Sequence, residues 1–108
     1  MTPRIGELRR RIDIEAAVET ADGAGGVSRT YEVVASVFGR VEARRRRETV
    51  DDGRAVGVVT HRVTMRRRAD VTGGVRLVVD GTRYRVLAVE DEDPQRRFLR
   101  CLCEEEQR

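Results

Sequence analysis

Apolar residues in this chain recur at every second position, stretch after stretch, and that period belongs to a strand with one buried face rather than to a helix. In "LRRRIDIEAAV", Leu8, Ile12, Ile14, Ala16 and Val18 share a phase, while most alternate positions are charged. From about Arg29 a second run places Tyr31, Val33, Ala35, Val37, Gly39 and Val41 on one face and Val34 and Phe38 on the other, the pattern of a strand partly buried on both sides. "VVTHRVTMRRR" repeats the alternation with Val59, His61, Val63 and Met65. "VRLVVDGTRYRVLAVEDE" sets two such runs around Asp80-Gly81, a strong hairpin signal because both residue types tolerate the positive φ that a two-residue turn requires. "FLRCLCEEE" supplies a last strand, in which Phe98 is followed by alternating cysteines and leucines. Valine accounts for 17 of the 108 residues, and its branched Cβ suits a pleated surface.

About six strands in a meander predict an all-β fold, a small six-stranded β-barrel or sandwich, since closing a sheet removes its exposed edges. The length is that of one domain, 1–108, burying roughly two-thirds of the surface its unfolded chain exposes. Two connections stand out. "ETADGAGGVS" carries Gly23, Ala24, Gly25 and Gly26 and reads as a flexible excursion rather than a tight hairpin. The loop between the second and third strands, Ala43 to Gly57, is long; it has room for one short helix with Glu48, Asp51 and Asp52 near its start, kept brief by Gly53 and Gly57.

Chemistry-bearing residues are sparse. His61, the one histidine, falls in phase with an apolar strand face, where a packed or interface imidazole is expected rather than a base. Ser28 and Ser36 lack the setting of a nucleophile elbow. The run Glu90 to Asp93 does not follow the ligand spacing of a calcium loop and reads as a solvated turn. Cys101 and Cys103, two apart on one strand face, are poorly placed for a mutual disulfide and too few for structural zinc, so buried reduced thiols are expected. No enzyme activity, metal or cofactor is expected. No apolar run approaches the roughly 20 residues that span a bilayer, and the N-terminus lacks the features of a signal peptide, so no membrane partner is expected either.

The formal charge is +3, from 22 cations and 19 carboxylates, and every cation is arginine. Codon bias in a GC-rich genome also accounts for that, since asparagine is absent along with lysine. Either way, a planar donor fork favours bidentate contact with carboxylate or phosphate. Three arginine runs occur: Arg9 to Arg11, Arg44 to Arg47 and Arg66 to Arg68. The first and third are read within strands, where alternate side chains face opposite ways, so only the loop run presents its charges together. The chain's four Phe and Tyr all lie away from Arg44 to Arg47, which disfavours base stacking and leaves nonspecific contact with duplex phosphates.

Three segments carry a family resemblance. They are "GELRRRIDIE", with Gly6, Leu8, Arg11, Ile12 and Ile14; "THRVTMRRRADVTGGVRLVVDGTRYRVLAVED", with Thr60 to Val63, Arg66, Asp70 and a hairpin from Arg76 to Tyr84; and "DPQRRFLRCLCEE". In order and spacing the chain resembles the head-tail joining proteins, also called head closure or stopper proteins, of long-tailed bacteriophages and phage-like gene transfer agents. It departs from many relatives in lacking tryptophan, with Tyr31 and Phe38 in the region where a large aromatic is often found.

The resemblance implies a small β-barrel forming a homo-oligomeric ring between the portal or adaptor of a DNA-filled capsid and the tail terminator. It would be assembled in the bacterial cytoplasm and be present at the head-tail junction of the virion or gene-transfer particle. It also implies that the Ala43–Gly57 loop faces the channel and helps retain double-stranded DNA. Arg44, Arg45, Arg46 and Arg47, with Glu48, Asp51 and Asp52, are the expected channel or assembly residues; a plain protein contact and a solvated loop are the alternatives. Glu104, Glu105 and Glu106 are candidates for contact with an arginine face on a neighbouring copy. The second functional reading is a stand-alone nucleic-acid-binding barrel, and an enzyme of new type is a distant third.

Overall fold

The computed structural model describes residues 8–106; Gly6 of the opening motif lies outside the described residues. Eight strands follow in order: β1 (Arg10–Ala21), β2 (Val27–Ala43), β3 (Thr49–Asp51), β4 (Val56–Val58), β5 (His61–Arg66), β6 (Arg76–Val79), β7 (Thr82–Asp91) and β8 (Phe98–Glu105). Six of them close an antiparallel barrel in the order β1-β2-β5-β8-β7-β6, with β6 returning to β1. The remaining pair, β3 and β4, is a small separate hairpin in the long loop, which contains no helix. Val50, Val56 and Val58 explain the difference: β-branched residues favour a ladder, and Gly53 at φ 86° fits a turn.

Ile12, Ile14, Val63, Met65, Leu77, Val86, Cys101 and Cys103 fill the barrel, each fully buried. Complete burial of an aliphatic side chain contributes about 1.5–3 kcal/mol. Both cysteines are free, and burial pushes the Cys101 thiol up to about 12 and that of Cys103 well above its ordinary value, so neither is a ready nucleophile. In β8, Leu99 shares the cysteines' inward phase, whereas Leu102 packs on a second cluster outside. Asp80 and Gly81 both take positive φ, as the β6–β7 hairpin requires.

Two bulges break the simple alternation. Between Ile14 and Glu15 the β2 partner jumps from Ala35 to Val33, skipping Val34. Tyr31 and Val33 therefore leave the inward phase of Val37 and join the outer face with Glu15, contrary to the single-face reading of β2. The second bulge skips Leu87, which turns out of the barrel into the second cluster. Gly39 has a steric role: a Cβ there would lie 2.7 Å from the Thr64 carbonyl oxygen and 2.5 Å from Ile12 Cδ1.

The expected flexible excursion is instead an ordered hairpin end. Asp22 Oδ1 accepts from the amides of Ala24 and Gly26, and these bonds hold its carboxyl below the usual carboxylate range. Nor is Asp93 part of a solvated turn. It is buried; its Oδ1 accepts from the amides of Arg97 and Phe98, and its Oδ2 from Arg97 Nε. Burial alone would raise its carboxyl, but these bonds outweigh it and the net shift is downward.

Gly39→Ala must displace the β5 backbone, and overpacking of this kind costs about 1–3 kcal/mol, read as a lower urea midpoint. Asp93 is held ionised more strongly in the folded chain than in the unfolded one. Its contribution is complete above the ordinary carboxylate range near about 4 and fades as the pH falls through its depressed folded value. Asp93→Asn is therefore expected to lower stability at neutral pH and to flatten its decline on acidification, measured by denaturant titration at several pH values.

Candidate functional site

The loop after β2 is closed by hydrogen bonds between its two sides. Arg44 N–H donates to the Thr60 carbonyl at 2.8 Å, and Val59 N–H donates to the Glu48 carbonyl at 2.9 Å. Between them the two aspartates shape the β3–β4 turn. Asp51 Oδ1 accepts from Gly53 N–H, and Asp52 Oδ1 accepts from the amides of Arg54 and Ala55. Those two amides hold the Asp52 carboxyl below its ordinary range. Ala55 and Val59 then pack on Leu87, with Val50 and Leu102 at the edge of the cluster.

A polar clamp adds to this apolar seat. Arg85 Nη2 donates to the Val56 carbonyl at 3.0 Å and to Glu104 Oε1 at 2.9 Å, while Glu104 Oε2 accepts from Val58 N–H at 3.1 Å. A Cβ on Gly57 would lie 2.7 Å from Glu104 Oε1, so the missing side chain lets β4 approach this closely. The loop is thus docked on the outer surface of β7 and β8. Sequence reasoning missed Arg85, because nothing in an alternating strand marks one outward arginine as the partner of a backbone carbonyl 29 residues away.

The four arginines do not behave as one cluster. Arg44 is half-buried and lies 3.6 Å from Glu48 in an ion pair. Arg45, Arg46 and Arg47 are exposed. Arg47 lines a cleft of about 550 Å³ together with Thr60, Arg85 and Glu104 to Glu106, so a cation of the loop and the acidic tail share one recess.

Each tail carboxylate has a partner in its own chain. Glu104 belongs to the clamp. The Glu105 carboxylate lies 4.0 Å from His61 Nε2, and its N–H donates to Thr60 Oγ1. Glu106 accepts from Arg76 at 3.3 Å, and its N–H donates to the Arg83 carbonyl. Glu105 retains the most exposure of the three, 47% of its side chain. His61 is a packed imidazole, meeting the Tyr84 ring edge-on at 4.8 Å between centroids.

The third arginine run is not confined to a strand. β5 ends at Arg66, and Arg67 and Arg68 lie beyond it, so alternation no longer separates them. All three line a second cleft, about 460 Å³, with Leu8, Val37 and Phe38. Arg67 pairs with Asp91 and Arg68 with Asp70, and Phe38 remains 62% exposed. Around the Glu90–Asp93 run, arginines take up the carboxylates: Arg100 meets Glu90 and Glu92. Among the described residues no group of three or more His, Cys, Asp or Glu is placed to hold a metal ion.

Comparison with known proteins agrees with this architecture. The family model for phage head completion protein matches residues 3–106. A chain from the virion of a native gene transfer agent particle superposes with a TM-score of 0.71 at 25% identity, covering 97% of this chain and 98% of that one. A Shigella flexneri 2a protein of known solution structure superposes with a TM-score of 0.70 at 25% identity, covering 95% and 96%. No curated protein sequence gives a significant match. An all-β barrel with a docked hairpin in its long loop, matched to one family over almost its whole length, places the chain in the phage head completion protein family.

Proposed function

We propose that the chain is a non-enzymatic connector at the head-tail junction of a phage or gene-transfer particle, forming a ring with its own copies between the portal or adaptor and the tail terminator. The family match over residues 3–106 carries this reading, and the fold likeness to a chain of a gene transfer agent virion supports the particle setting. Assembly takes place in the bacterial cytoplasm and the finished protein resides in the particle.

In such a ring the exposed Arg45, Arg46 and Arg47 recur with the symmetry, so a small charge per copy becomes a positive girdle around the channel. Phosphates of passing duplex DNA are attracted without base readout, and the attraction is screened beyond about 8 Å at physiological salt. Retention without tight binding suits a protein that must later let DNA leave. Asp51 and Asp52, engaged by turn amides, contribute shape; Glu48 tempers Arg44. Contact of Glu104 to Glu106 with an arginine face on a neighbour is part of the proposal, with Glu105 offering the largest exposed share.

Particles made without the chain are expected to show DNA-leaking heads separated from tails in electron micrographs; normal tailed particles would sink the proposal. Replacing the loop cations together (Arg44→Ala, Arg45→Ala, Arg46→Ala, Arg47→Ala) is expected to leave the isolated domain folded and to lower the yield of DNA-containing, tailed particles. Unchanged yield and DNA retention would remove the channel role. Glu104→Ala is expected to cost about 1.5–3 kcal/mol, as for a hydrogen bond to a charged group, and to speed amide hydrogen exchange at Val58 while leaving β1 and β2 unaffected.

A further inference from the structure

The β1–β2 hairpin outruns the barrel. β6 pairs with β1 only at Asp13 to Glu15, and β5 pairs with β2 only from Gly39 to Ala43. Beyond these points, residues 16–33 form a two-stranded arm of six further rungs, about 20 Å long at about 3.3 Å per residue. The molecule accordingly measures 50 Å along its long axis against 27 and 26 Å across.

An arm of this kind leaves strand edges open. From Val27 to Phe38, β2 has no strand beside it on the side where β5 would continue. Long open edges invite pairing with another chain, and this one carries Val27, Val33, Val34 and Phe38, each more than half exposed. The cleft lined by Leu8, Val37, Phe38 and Arg66 to Arg68 adjoins the end of β5. It joins an open backbone edge to an apolar floor and a cationic end.

We propose that this slot receives the arm of a second copy of the chain, as an added strand held by charge. The proposal rests on the head completion reading and names the copy-to-copy contact within it. Charge selects the occupant: the arm carries Glu19, Asp22 and Glu32 against Arg29 alone, net −2, in a chain whose total is +3. Arg29 is paired with Glu19, and Asp22 is committed to its turn, so Glu32 is the carboxylate the arm offers. On the slot, Arg67 and Arg68 have carboxylates of their own, leaving Arg66 to meet Glu32. Reach fits as well, since the arm is nearly as long as the molecule is wide. The slot proper is the Val34–Phe38 edge with the cleft at the end of β5, apart from the arm of residues 16–33, and such a head-to-tail contact closes into a ring when its rotation allows.

The test is photo-crosslinking in assembled particles, with p-benzoylphenylalanine in place of Phe38, an exposed site where the fold is not at stake. The expected product is a covalent dimer whose crosslink maps to residues 16–33 of the other copy. Glu32→Arg or Arg66→Glu alone is expected to deplete that dimer, and the two together to restore it. Crosslinking to a different virion protein, or no adduct from particles that contain the chain, overturns the arm contact and leaves the head completion reading intact. Particles that lack the chain altogether overturn that reading and the arm contact with it.

Discussion

The barrel closes on three rungs. Among the described residues, Asp13–Val78, Ile14–Leu77 and Glu15–Arg76 are the pairs that join β1 to β6, and without them the sheet would be open. Arg76 reinforces the last of them. Its guanidinium donates to Glu15 at 2.8 Å and Glu106 at 3.3 Å, and it lies 3.7 Å from the centre of the Tyr31 ring. One largely buried arginine thus binds β1, β2, β6 and the residue after β8 at the place where the arm begins. An ion pair this shielded is screened less than its exposed counterparts, and removing one partner would leave a charge uncompensated. The bulge at Val34 is what brings Tyr31 to this face, so closure of the barrel and departure of the arm are consequences of the same register shift.

A second shift makes the outside of the barrel a platform. By skipping Leu87, β7 sends one aliphatic side chain outward while Val86 and Val89 on either side pack inward. The loop after β2 settles on Leu87 and is then pinned through backbone groups of Val56 and Val58 by Arg85 and Glu104. Its apolar contacts are few, and the pinning charges are about one-third exposed, so the loop is held less strongly than the barrel core. A segment bound this way can keep one position in an isolated chain and still be released by a partner that competes for the clamp.

The six barrel strands were legible because a half-buried strand writes its period into the sequence: Ile12, Ile14, Val63, Met65 and Val86 all fall where alternation puts them. The Asp80-Gly81 turn was legible for a related reason, since its backbone demands those residue types. Bulges carry no such mark. Val34 and Leu87 look like ordinary valine and leucine, and only pairing with a partner strand decides which residue is skipped, so Tyr31 and Val33 were assigned to the wrong face. Acidic residues and glycines suit a helix start and a hairpin turn alike, which left room for a short helix where β3 and β4 form instead. Asp22 and Asp93 were read by polarity as parts of mobile or solvated turns; hydrogen bonds to backbone amides make them the organisers of those turns. The candidate site was legible as a charged loop, whereas its docking depended on Arg85 and Glu104, which lie far along the chain from it.

A closed barrel has a consequence for assembly. Where its strands are paired on both sides no edge is free, so copies cannot join there without opening one another. Their remaining means are side-chain contacts between charged surfaces, each exposed pair worth about 0–1 kcal/mol, and whatever edges lie outside the barrel. Many of the carboxylates here are already matched by arginines of the same chain, which reduces the charge available to a neighbour. The arm has the reverse character: open edges, exposed valines and an excess of negative charge. The contrast follows from these facts: the barrel pairs many of its own carboxylates, whereas the arm leaves open edges and exposed valines.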